Sequence, residues 1–214
     1  MYRVIRVTAI AFAMMSVWLM VAAAQENVGE ISKINGIAKL ERSGKVLEVA
    51  NAMPVAIGDT IRTPPNAQVS VTFKDGSMVE LGESTSFTID QYEIVGSRRS
   101  KGFLELHGGH LRSLVKIASG EPNFEVHTPN AVASVRGTEF ETAFIDGRPC
   151  PEDRSCLRYT TVDVFKGIVV VSNPSNSAPP LEVGEGYATT VACESAATSP
   201  APVGVQELGA PGYH

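Results

Sequence analysis

The residues able to do chemistry are few, and their spacing assembles no recognisable catalytic set. His107 and His110 flank Gly108-Gly109, and His127 precedes Thr128-Pro129. Three histidines are formally enough for a metal site, yet no Asp, Glu or Cys stands at ligand spacing to support one, and turn-flanking histidines are more often surface polar residues. Glu139 and Glu141 alternate on one strand face and could form an acid pair, but no nucleophile can be named beside them. Gly-x-Ser-x-Gly, His-Glu-x-x-His and Walker motifs are absent. The chain is therefore expected to be non-enzymatic and to carry neither a metal nor a cofactor. Arg136 sits between an apolar strand and Gly137, either facing a partner or pairing with Glu139 or Glu141 at a corner. The second reading is favoured.

Cysteine is the remaining chemistry. Cys150 and Cys156 bracket the polar lobe Arg148 to Cys156, and Cys193 opens the C-terminal segment. Proximity along the chain favours a Cys150–Cys156 disulfide that orders the lobe and leaves Cys193 free. The competing pairing joins Cys193 to one of the other two.

These residues must be positioned by strands. With 19 Gly and 13 Pro among 214 residues, and many Val and Thr, the composition describes numerous turns and short strands. No mature window of twelve or more residues carries a capped helical period. Asn35-Gly36, Asp75-Gly76, Gly108-Gly109 and Lys166-Gly167 each separate two apolar-alternating runs, in a rhythm too irregular for a constant repeat. The expectation is an all-β domain of short strands and glycine corners, either solenoid-like or a twisted sandwich. Gly96 to Gly102 holds Arg98, Arg99 and Lys101 and is expected to be a solvated basic turn.

Residues 1–24 carry Arg3 and Arg6, no acidic residue, and an apolar run from Val7 that ends at Ala22-Ala23-Ala24 before Gln25. That is the pattern of a secretory signal peptide. The alternative is an uncleaved anchor, because 18 residues can just cross a bilayer. No cysteine follows the run, so N-terminal lipid modification is excluded. Loss of Arg3 and Arg6 from the 18 basic residues leaves 16 against 23 acidic ones, a charge of −7. Nucleic-acid binding would need the opposite sign. The chain divides into residues 1–24, a β domain over 25–192 with an insertion at 146–158, and a flexible tail over 193–214.

The most informative stretch runs from Asn123 to Phe144. Phe124 and Val126 alternate as a half-buried strand, Thr128-Pro129-Asn130 ends it, and Ala131, Ala133 and Val135 form a second set. Arg136-Gly137 turns the chain, at an inferred positive φ for Gly137, and Phe140, Ala143 and Phe144 begin a third run. Phe124, Val126, Val135, Phe140 and Phe144 are expected to face inward.

This order, with Thr128 and Pro129 followed by Val135-Arg136-Gly137-Thr138 and then Phe140, resembles the FecR-type domain. Gly58 to Thr63 and Val71 to Ser77 look like that family's opening strand and Asp-Gly turn, and Val164 to Val170 and Gly184 to Ala188 like its closing strands. The resemblance implies a solenoid-like β domain, with Arg136 and its neighbours serving a fold-defining role. Full-length FecR regulators join a cytoplasmic segment that binds a sigma factor to a membrane helix and a periplasmic FecR domain. Only six residues precede the apolar run here, so direct anti-sigma activity is not expected. The expectation is a periplasmic or secreted module that binds an envelope protein or cell-wall glycan. The alternative is an accessory to transenvelope signalling, in contact with the membrane only if the N-terminal segment is kept.

Overall fold

The computed structural model describes residues 26–96, 98–117 and 123–204; the expected signal peptide and the last ten residues lie outside them. The described residues contain no helix. Seventeen strands follow in order: β1 (Asn27–Asn35), β2 (Lys39–Arg42), β3 (Lys45–Glu48), β4 (Pro54–Ala56), β5 (Thr60–Arg62), β6 (Gln68–Phe73), β7 (Met78–Leu81) and β8 (Ser86–Val95). The longest, β9 (Arg98–Leu114), is followed by β10 (Phe124–His127), β11 (Val132–Val135), β12 (Glu139–Asp146), β13 (Arg158–Lys166), β14 (Ile168–Ser172), β15 (Leu181–Gly184), β16 (Tyr187–Ala192) and β17 (Ala201–Pro202).

Pairing sorts them into two sheets. One runs β4-β1-β6-β7-β9-β12-β13-β16-β17. The other runs β3-β2-β5-β8-β9-β10-β11-β14-β15. Apart from the reversed first pair in each, both orders rise with chain number. The chain thus climbs one axis, making a hairpin or single strand in one sheet before crossing to the other. This is the solenoid-like reading of the sequence, without a constant period. The pairing of β10 with β9 is parallel and the other pairings are antiparallel.

Strand β9 belongs to both sheets. Its first half lies between β8 and β10, its second between β7 and β12. Buried positions are even-numbered through Leu104 and Leu106 but odd-numbered at Leu111 and Ser113. Strict alternation would put one of these sets on the solvent face, so the phase must slip at the corner. The slip occurs at Gly108-Gly109, where Gly109 has a φ of 87°. A Cβ on Gly109 would stand 2.4 Å from Thr85 Oγ1, which is held there by donation from the His110 amide at 3.0 Å. Backbone angle and space both call for glycine.

Apolar side chains from both sheets form one continuous core. The five residues expected inside, Phe124, Val126, Val135, Phe140 and Phe144, are all buried there. The strands β10 and β11 make a hairpin in one sheet, and Arg136-Gly137-Thr138 carries the chain across to β12 in the other.

Three expectations are corrected. Gly137 is not among the glycines at positive φ; it is small because a Cβ would lie 2.5 Å from Ile117 Cγ1 and 2.8 Å from Ile117 Cα, three residues beyond the end of β9. The disulfide joins Cys156 to Cys193, with Cα atoms 5.9 Å apart, and Cys150 is the buried free thiol. Sequence proximity misled because β13 and β16 pair with Tyr159 opposite Ala192, which brings Cys193 beside the end of the insertion. The bridge closes the longer loop, a constraint of roughly 3.8 kcal/mol in the chain-entropy estimate. Finally, residues 193–204 are packed: the Thr198 amide donates to Thr190 O at 2.9 Å, Thr189 Oγ1 donates to Thr198 O at 2.7 Å, and β17 adds to β16.

Candidate functional site

Several of the motif residues that carry the family resemblance join the two sheets. Thr128 Oγ1 accepts from the Ala131 amide at 2.9 Å and shares a hydrogen bond with Thr160 Oγ1 at 2.7 Å. Buried Asn130 receives Thr160 Oγ1 at 2.6 Å and donates through Nδ2 to Val191 O at 2.7 Å. With Pro129 setting the backbone between them, this corner of one sheet is bonded to β13 and β16 of the other. Thr138 Oγ1 donates to Ile168 O at 3.1 Å, and its carbonyl accepts from the Val115 amide at 2.9 Å. Val135 and Phe140 on either side are core residues. The arrangement binds the layers together and offers no reactive group.

Arg136 is exposed. Neither carboxylate expected to accompany it is aimed at it alone: Glu139 pairs with Arg112, and Glu141 lies 3.2 Å from His110 Nδ1. Arg112 also lies 4.4 Å from the centroid of the Phe165 ring. The histidines do not converge. His107 bonds to Thr88 Oγ1 at 2.8 Å, and His127 bonds to Glu125 at 2.6 Å and stacks against Phe103. Among the described residues no three His, Cys, Asp or Glu side chains are grouped to hold a metal ion.

The basic stretch expected to be a solvated turn instead contains a buried charge. Arg98 is exposed, but the Arg99 side chain is wholly buried and paired with Asp75, which is 5% exposed. Asp75 also accepts from Tyr92 Oη at 2.8 Å, from the Ser77 amide at 3.0 Å and from Ser77 Oγ at 2.8 Å. Arg99 donates further to Ser77 Oγ at 2.8 Å, to Asn123 Oδ1 at 3.1 and 3.2 Å, and to Lys116 O at 3.2 Å. Its guanidinium lies 5.1 Å from the Phe124 ring centroid. Gly102 makes the room, since a Cβ there would be 2.8 Å from Arg99 Cδ. Each guanidinium and carboxylate edge is thus met, the condition for a buried ion pair to be tolerated. Asp75 belongs to the Asp-Gly turn between β6 and β7, and Arg99 to the start of β9, so the pair ties early strands to the central one.

Burial, together with the Asp75 carboxylate, pushes the Tyr92 phenol well above its ordinary value of 10.0. Below that value the phenol is protonated folded and unfolded alike. Above it the unfolded chain ionises while the native one resists, so stability must fall as pH rises. Tyr92→Phe is expected to cost roughly 1–2 kcal/mol at neutral pH through the lost bond to a carboxylate. On the alkaline side the gap to the parent should narrow, as urea titrations of the two chains at rising pH will show; a gap independent of pH would contradict the assignment.

A second ion pair, this one bidentate, joins Arg42 to the fully buried Asp59 through Nε at 2.7 Å and Nη2 at 2.5 Å, and Asp59 also accepts the Ala56 amide at 2.8 Å. It fixes β2 to the loop between β4 and β5. Both pairs are scaffold.

The first turn of the solenoid is accessible. Among the described residues β3 pairs with β2 alone, so its other side is a free edge. All four of its residues are exposed, with Val46 at 63% and Leu47 at 38%; Ile37, just before β2, is 65% exposed. Proline, which removes a ladder donor, stands within two of the three other outer strands, as Pro54 in β4 and Pro202 in β17, and Pro179-Pro180 directly precede the third, β15. On β3 only the charged Lys45 and Glu48 flank the apolar pair.

Comparison with known proteins covers part of this chain. Two crystal structures of a candidate anti-sigma factor from Parabacteroides distasonis ATCC 8503, at 1.65 and 2.50 Å resolution, are similar at 23% identity and a TM-score of 0.47. Each match covers 62% of this chain and 54% of the other, so the chain spans about half of that protein. No curated protein matches. The family comparison is direct: residues 59–170 match FecR protein, from Asp59 in the loop before β5 into β14, which follows the Lys166-Gly167 turn, and the chain belongs to the FecR family.

Proposed function

We propose that this chain is a non-enzymatic, exported FecR module that works by binding another envelope protein, and that the β3 edge receives an extended segment of that partner. The observation that carries the reading is the contrast among the four outer strands. Two contain proline and a third directly follows a proline pair, while β3 has no proline in or beside it and presents its backbone beside Val46 and Leu47. An added strand would gain ladder hydrogen bonds from the backbone and specificity from the alternating side chains. A glycan would call for exposed aromatic platforms, and Tyr187, at 46% exposure on β16, is far from this edge in the strand order. A protein partner is therefore the better fit. Export is supported by the pattern of residues 1–24 and by the Cys156–Cys193 bridge, a bond that persists in oxidising compartments.

The test is crosslinking in intact cells. The parent chain should yield a discrete adduct with an envelope protein. Val46→Asp combined with Leu47→Asp should reduce that adduct roughly tenfold, a loss of about 1.4 kcal/mol of binding, at an unchanged melting temperature. An adduct undiminished in the folded variant would refute the edge as the site.

A further inference from the structure

The geometry points to a thiol–disulfide exchange site in the insertion, in which the Cys150 thiol attacks Cys156 and releases Cys193. Three cysteines meet in one small buried cluster with Ala192 and Tyr159, separate from the main core. Cys150 is completely buried and packed in the same cluster as the bridge. Its amide donates to Cys156 O at 2.8 Å, so the backbones of residues 150 and 156 already run side by side. That is the neighbourhood a Cys150–Cys156 bond requires, and it identifies Cys156 as the sulfur attacked. Cys193 approaches from elsewhere, held by its amide to Arg158 O at 3.1 Å and by its carbonyl to Asn173 Nδ2 at 3.1 Å.

The exchange balances within one chain. Cys150 gives up its proton and its sulfur bonds to Cys156 Sγ. The Cys156–Cys193 bond breaks, the electron pair leaves on Cys193, and that sulfur takes up a proton. Nothing is oxidised or reduced overall, and no added reagent is consumed. One arrangement fastens the C-terminal segment to the insertion; the other closes the insertion on itself and leaves a half-exposed thiol at Cys193, open to exported thiol-reactive proteins. The C-terminal segment would then be held without a covalent link, by its hydrogen bonds to β16, Asn173 and Asn176 and by the packing of Ala197 on the core.

The experiment uses the full exported chain, held in mildly alkaline buffer without added thiol or oxidant. After acid quenching and denaturation, free thiols are tagged with N-ethylmaleimide and peptides are mapped without reduction. The tag is expected to shift from Cys150 to Cys193 with time, always one per chain. Cys150→Ala and Cys150→Ser chains should acquire no tag on Cys193. A tag that stays on Cys150, that appears on Cys156, or that reaches Cys193 equally in the Cys150 variants would overturn the proposal.

Discussion

Asp75→Ala is expected to destabilise the fold by about 3–5 kcal/mol, because it leaves the Arg99 guanidinium buried without its counter-charge. The loss would be a large share of the stability of a domain of this size. The side chain of Arg99 has no exposure through which water could replace the carboxylate, and Tyr92 Oη would lose its acceptor at the same time. The magnitude belongs to the stranded charge and not to the attraction itself. Asp75→Ala combined with Arg99→Leu should therefore recover part of the loss, since an apolar replacement carries no desolvation penalty. Chemical denaturation of the parent, both single variants and the double variant closes the cycle. A double variant as unstable as the sum of the singles would show that the two residues act independently.

The second large effect is Phe140→Ala, expected to cost about 3–5 kcal/mol. Phe140 is wholly buried at the start of β12, immediately after the chain crosses between sheets. Phe140 itself pairs on one side with Ser113 of β9 and on the other with Val164 of β13, so its backbone is held on both flanks and cannot collapse readily into the space. The resulting cavity would sit where the two layers are joined. A melting temperature equal to the parent's, in soluble protein, would contradict this placement.

The inward set around Phe124 to Phe144 was legible because period-two alternation with Thr-Pro and Arg-Gly corners leaves one choice of face. The sheet exchange in β9 was also written in the sequence, as a double glycine between Leu106 and Leu111, but an odd spacing alone does not say which strands lie on either side. Arg99 was hidden for a different reason. A basic run between glycines has the composition of a solvated turn, and its carboxylate lies 24 residues upstream in an Asp-Gly turn that occurs in many β proteins. Gly137 was read from the usual cause of glycine at a corner, positive φ, when the actual cause is the backbone of Ile117. The cysteine pairing failed because the register of β13 against β16, not distance along the chain, brings Cys193 to Cys156. The open edge at β3 became visible only once strand order was known, since Lys-Val-Leu-Glu resembles any short exposed strand.

The central claim, that β3 is the binding edge of an exported FecR module, is tested most directly by placing a photoreactive amino acid at Val46 and, in a second chain, at Thr161 on the outer face of β13. Both positions are on strands of the folded domain, but only Val46 lies on the unguarded edge. Illumination of intact cells should give a discrete adduct with one envelope protein from position 46 and none from position 161. Adducts from position 161 alone, or the same adducts from both positions, would contradict the assignment of function to this edge.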